Sequence, residues 1–159
     1  MTLPGACVAD TDPGRLDLAD VHTFLTASYW ARGIPFAVVR QSVRNSLCFG
    51  LYDGERQVGF ARVVSDRATF AYLADVFVLE SHRGRGLGKL LMAAVIAHPE
   101  LQGLRRWMLA TRDAHALYAQ YGFTPLRAPE SFMQLYDPDV SAEPTDAGRR
   151  REAGEGEAL

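Results

Sequence analysis

Apolar side chains in this chain recur first at helical spacing and then at strand spacing. Leu18, Val21, Phe24, Leu25 and Tyr29 share one face of a 3.6-residue repeat in "DLADVHTFLTASYW", with Asp17 placed as N-cap. "RGIP" breaks the repeat, and "PFAVVRQSVRNS" predicts a second, shorter helix with Pro35 in its first turn. "LCFGLYD" and "QVGFARVVSD" then read as two strands joined by "DGER", a hairpin signal because Asp-Gly readily takes positive φ. "TFAYLADVFVLE" is a third, long strand, rich in β-branched and aromatic residues. In "GLGKLLMAAVIAH" the spacing predicts a helix with Leu87, Leu90, Leu91, Ala94 and Val95 toward the core, ended by Pro99. "LRRWMLAT" reads as a strand, "RDAHALYAQY" as a helix closed by Gly122, and "PLRA" and "SFMQLYD" as two closing strands. The order predicts an α/β domain with a mixed sheet flanked by helices, in which a crossover joins residues 70 to 110.

Composition narrows the class. At 159 residues, 48% apolar and 23% charged, the chain suits one globular domain with a real core. No apolar run approaches membrane-spanning length. "MTLPGACVAD" has neither a basic start nor a long apolar core, so no secretory signal is expected. Cys7 and Cys48 fit neither a metal cluster nor a disulfide framework, and Cys48, inside "SLCFGLY", reads as a small buried hydrophobe. A cytoplasmic location is expected.

The net charge of −2 is unevenly spread. Residues 137–159 carry seven acids, the triplet Arg149-Arg150-Arg151 and almost no large apolar side chain, so this stretch is expected to be a disordered tail. Residues 1–136 are the expected folded domain. Their nearly balanced charge gives no reason to invoke nucleic acid as a partner.

The chemistry is concentrated in "RGRGLG", between the long strand and a helix. A helix start offers unpaired N–H groups and the positive end of the peptide dipole, and glycines let a ligand approach them. That combination makes a phosphate cradle, with Arg83 and Arg85 adding charge. It is not a Walker loop, since Lys89 is followed by Leu90, and it is not the dinucleotide fingerprint, since the spacing is G-x-G-x-G and lies mid-chain.

Arg83-Gly84-Arg85-Gly86-Leu87-Gly88 has the form R-x-x-G-x-G. With "DVFVLESHRGRGLGKLLM" before "ATRDAHALYAQYGF", residues 15 to 136 resemble the GNAT superfamily of acyl-CoA-dependent N-acyltransferases. The resemblance implies acetyl-CoA as cofactor, with coenzyme A as product. It implies pyrophosphate on the amides from Gly84 through Lys89, and pantetheine pairing with the backbone of Val76, Phe77 and Val78. One of those N–H groups would polarise the thioester carbonyl. Tyr118 matches the tyrosine that protonates or hydrogen-bonds the departing thiolate. Many family members have an asparagine contacting the cofactor seven residues earlier; this chain has Thr111, which also suits a helix cap.

On the acceptor side, relatives that acetylate polyamines carry an acidic pair where this chain has Ala74-Asp75. Asp75 could bind a substrate ammonium, act as base through water, or hold the sheet together. His115, three residues before Tyr118, is a rival base. The helix connection holding Tyr29 and Trp30 forms one wall of the acceptor site in the family, so both could face the amine or anchor the loop. The function implied is direct transfer of acetyl to a primary amine of a small molecule, a peptide or a protein lysine. A non-catalytic acyl-CoA sensor is the alternative, no membrane partner is expected, and a homodimer stays open.

Overall fold

In the computed structural model, residues 6–140 are described. Five strands form one sheet in the order β1-β2-β3-β4-β5: Cys7–Asp10, Leu47–Asp53, Arg56–Ser65, Phe70–Val78 and Arg106–Leu109. The first four pair antiparallel, and β4 pairs β5 in parallel through the crossover helix α3, Leu87–Ala97. The mixed, largely antiparallel sheet therefore takes the expected form, with β1 an additional strand that the sequence pattern did not predict.

Each face of the sheet has its own core. Val21 and Leu25 of α1 (Leu18–Ala27) and Val39 of α2 (Phe36–Arg44) meet Cys48, Phe60 and Phe77. On the other face Leu91, Met92 and Val95 of α3 pack on Phe49, Leu51, Ala61, Val63 and Leu73, together with Tyr118 of α4 (His115–Ala119). Asp17 caps α1 by accepting from the Asp20 N–H, and Pro35 stands at the N-cap of α2.

Three expectations need correction. Leu90 is exposed and Met92 takes the buried position, because α3 sets residues 87, 91, 92 and 95 toward the sheet. Tyr29 lies beyond α1, which ends at Ala27. "PLRA" and "SFMQLYD" form no strands: the chain passes β5 irregularly, apart from one 3-10 turn at Pro129–Ser131. The predicted tail lies outside the described residues from 141 onward.

Candidate active site

The site begins where β4 loses its partner. The ladder to β5 ends at Leu73↔Leu109, yet β4 continues to Val78. On its other edge β4 stays paired with β3, with Phe60 opposite Phe77 and Arg62 opposite Ala74, so Asp75 and Val76 together oppose Ala61. That is a bulge, which bends the strand and raises its local twist. Its first residue, Asp75, has φ 55°, a conformation that costs a non-glycine residue roughly 1–2 kcal/mol.

Asp75 is held in that conformation from two sides. Arg62 Nε donates to Asp75 Oδ2 at 2.7 Å and Trp30 Nε1 donates to Oδ1 at 3.0 Å. Arg62 also donates to Ser46 Oγ at 3.2 Å. The Asp75 and Arg62 side chains are 11% and 19% exposed, so the pair is substantially desolvated. Trp30 and Asp75 thus join the loop after α1 to the bulge.

Backbone direction follows from the pairing. Leu79 donates its N–H to the Val58 carbonyl on the β3 side at 2.8 Å. Strand alternation then turns the N–H of Val78, and that of Val76 two residues earlier, toward the opening left by β5. Phe77 points its ring the other way, stacked on Phe24 at 3.8 Å.

Past β4 the chain enters the glycine turn. Gly84 and Gly86 have φ of 80° and 74°, and an added Cβ at either would meet nothing within 4 Å, so the turn needs glycine and leaves open space before it. Gly88 differs: it sits in the first turn of α3 and its Cβ would make an ordinary contact with Leu117. Among the described residues, the amides from Gly84 through Lys89 have no acceptor. They border a cavity of about 270 Å³, lined also by Val78, His82 and Arg83. Arg83 ties the turn to β4 by donating from Nε to the Val78 carbonyl at 3.0 Å, and Arg85 is exposed.

One supporting group was invisible in the sequence. His82 is buried; its Nε2 lies 3.0 Å from Asp53 Oδ2 and its Nδ1 2.7 Å from Ser81 Oγ. A carboxylate only accepts, so Nε2 donates to Asp53, and Nδ1 shares the second hydrogen bond with the serine hydroxyl. The pair pins the start of the cradle to the β2–β3 hairpin. The partners lie 29 residues apart, and only the fold joins them.

In α4, Tyr118 is 8% exposed, yet its hydroxyl has no hydrogen-bond partner among the described residues and is not sealed from solvent. Burial raises its pKa above the ordinary phenol value, and Tyr29 acts more weakly in the same direction. Tyr29 accepts a long hydrogen bond from the Arg112 N–H at 3.4 Å, and the Arg112 guanidinium lies 3.9 Å from its ring centroid. Trp30 stands edge-on to Tyr29 at 5.1 Å. Thr111 Oγ1 accepts from the Ala114 N–H at 3.1 Å, steadying the approach to α4. His115, the first residue of α4, is exposed and has no hydrogen-bond partner among the described residues. No cluster of metal ligands occurs among them either.

Known proteins share this fold. The family model for the acetyltransferase (GNAT) domain matches residues 44–125. A Gibberella zeae protein named as a candidate acetyltransferase is 32% identical over 139 residues, covering 73% of this chain and 77% of its own. A solved structure from Xanthomonas campestris pv. campestris, described as a candidate GNAT-family acetyltransferase, is 54% identical with a TM-score of 0.85, covering 87% of this chain and 99% of its own. A Deinococcus radiodurans structure at 19% identity and TM-score 0.68 shares the fold, covering 89% of this chain and 96% of its own. The chain belongs to the GNAT family of acetyltransferases, and is an acyl-CoA-dependent N-acyltransferase. No helix among the described residues is long and apolar enough to cross a membrane.

Proposed function

We propose that the protein transfers the acetyl group of acetyl-CoA directly to a primary amine of a small molecule or peptide. The observation that carries this reading is the free edge of β4 leading into a turn whose amides, Gly84 through Lys89, have no acceptor. The residues fit the cofactor: positive-φ glycines leave the space in front of the cradle open, and Arg85 stands beside it. When bound, acetyl-CoA supplies the activated acyl group; this chain supplies position and polarity.

Gly84 through Lys89 hold the pyrophosphate, and the Val78 backbone, with the neighbouring Phe77 peptide, aligns the pantetheine arm. The Val76 N–H, beside the bulge and farther from the cradle, polarises the acyl carbonyl. A backbone donor in a dry site contributes about 3–4 kcal/mol to such a step. Tyr118 keeps its proton because its pKa is raised, and gives or shares that proton with the departing sulfur. Thr111 serves the cofactor side by setting the approach to α4.

Of the three roles open to Asp75, its contacts favour holding the sheet, since both carboxylate oxygens are engaged. His115 or water then receives the amine's proton. Tyr29 presents its half-exposed ring toward the acceptor, while Trp30 is committed to Asp75. The test is CoA release from acetyl-CoA across amines, aminoglycosides, amino acids and lysine peptides. Turnover with at least one amine is expected; hydrolysis alone, with no amine accelerating release, would overturn the reading.

A further inference from the structure

A separate cavity of about 430 Å³ runs along α1, on the sheet face opposite α3. One end is polar. Asp17, the N-cap of α1, donates its N–H to Gln57 Oε1 at 2.9 Å, so the start of α1 stands against the start of β3. Gln57 is 6% exposed, yet its amide nitrogen has no hydrogen-bond partner among the described residues and is not sealed from solvent. With its oxygen taken, Gln57 offers the cavity only N–H donors. Arg56 and Asp20 line the same end, both exposed and both without an ion-pair partner among the described residues. The middle is apolar, with Leu79 beside the stacked rings of Phe24 and Phe77. The other end is aromatic, and its Trp30 binds Asp75 at the bulge, so it adjoins the free edge of β4.

Resting on direct acetyl transfer to an amine, we infer that this cavity takes a free α,ω-diamino carboxylic acid of lysine length and presents its ω-amine for acetylation. Arg56 and the Gln57 amide hold the α-carboxylate, since a guanidinium and a mostly buried N–H pair both call for an acceptor. Asp20 faces the α-ammonium. The methylene stem lies along Phe24, Phe77 and Leu79, and the faces of Tyr29 and Trp30 attract the ω-ammonium before it loses its proton. Length agrees. From Asp20 to Ala27 the helix rises about 10 Å. An extended lysine spans roughly 7–8 Å from ω-nitrogen to carboxylate, and a hydrogen bond at the carboxylate adds about 3 Å. The ω-nitrogen forms the new N–C bond as the C–S bond breaks. The sulfur keeps the electron pair and takes one proton, and the amine releases one. A peptide-bound lysine has neither free α group, and a diamine lacks the carboxylate, so the polar end selects against both.

The test has a binding arm and a turnover arm. Arg56 and Asp20 are exposed, so circular dichroism should show both variants folded. In the first arm L-lysine alone, without acetyl-CoA, is titrated into labelled protein. The amide signals of Asp20, Arg56 and Gln57 should move, and Arg56→Ala should need roughly 10- to 100-fold more lysine. In the second arm L-lysine, 6-aminohexanoate, 1,5-diaminopentane and Nα-acetyl-lysine amide are compared as acceptors. L-lysine should have the highest kcat/KM, with the acetyl group on its ω-nitrogen by mass spectrometry. Arg56→Ala should cut the preference for 6-aminohexanoate over 1,5-diaminopentane by roughly 10- to 100-fold. Asp20→Asn should cut the preference for L-lysine over 6-aminohexanoate several-fold, since only lysine has the α-ammonium. A blocked lysine or a diamine used as well as L-lysine, or lysine binding indifferent to Arg56→Ala, would overturn the substrate class and leave acetyl transfer standing. Failure of every amine to accelerate CoA release would overturn transfer itself, and this inference with it.

Discussion

Replacing Asp75 separates backbone strain from electrostatics, because this one residue carries both. Its φ of 55° favours glycine, and its carboxylate pairs with a mostly buried Arg62. Asp75→Ala removes the carboxylate and leaves the guanidinium with only Ser46. Breaking a buried pair costs about 3–5 kcal/mol, and the low end applies because water can still reach Arg62. Alanine at positive φ adds about 1 kcal/mol. The expected loss is therefore about 4 kcal/mol, a large share of a typical 5–15 kcal/mol. Asp75→Gly makes the same electrostatic loss without the strain, so it should be more stable than Asp75→Ala by about 1 kcal/mol, the reverse of the usual order. In urea that gap is a midpoint difference of roughly 0.5 M at an m-value of about 2 kcal/mol/M. Asp75→Asn tolerates the conformation and still accepts from Trp30, so it should lose only about 2 kcal/mol and keep measurable turnover. An alanine variant more stable than the glycine variant would refute the strain argument. An asparagine variant of full stability and no turnover would make Asp75 the base.

Gly86→Val should abolish acetyl-CoA binding while leaving a folded sheet, since a branched side chain resists φ 74° and fills the space before the cradle; isothermal titration checks this, and wild-type affinity would reduce the turn to a connector. Tyr118→Phe should lower turnover by roughly 10²- to 10⁴-fold with acetyl-CoA affinity little changed, and should remove a high-pH limb lying above the ordinary phenol range. Burial pushes Tyr52 and Cys48 up to about 12 from ordinary values of 10.0 and 9.0. Both hold their protons more tightly when folded, so their stabilisation is full below pH 9 and drains as pH rises toward 12, read as a falling urea midpoint. Tyr52→Phe should leave neutral-pH stability equal or higher by up to about 1 kcal/mol and flatten that alkaline loss, because the Tyr52 hydroxyl is buried without a partner.

The cradle was legible because glycine at positive φ, a preceding strand and a following helix are local properties. The spacing alone does not distinguish Gly88, in the first turn of α3, from Gly84 and Gly86, which need positive φ. The bulge could not be read from "LADVFV", because it exists only as a mismatch with Ala61 across the ladder. Asp53 and His82 meet through the hairpin, and neither has a local pattern that names the other. "SFMQLYD" reads as a strand by composition, but a strand also needs an edge to pair with, and this segment forms no strand among the described residues.

The most direct measurement is an amide chemical-shift titration of labelled protein with acetyl-CoA. The N–H signals of Gly84 through Lys89 should move together with those of Val76 and Val78, whose amides face the opening, while Phe77, whose N–H faces β3, should move less. Movement confined to other surfaces, or none at millimolar acetyl-CoA, would contradict the placement of the cofactor along β4.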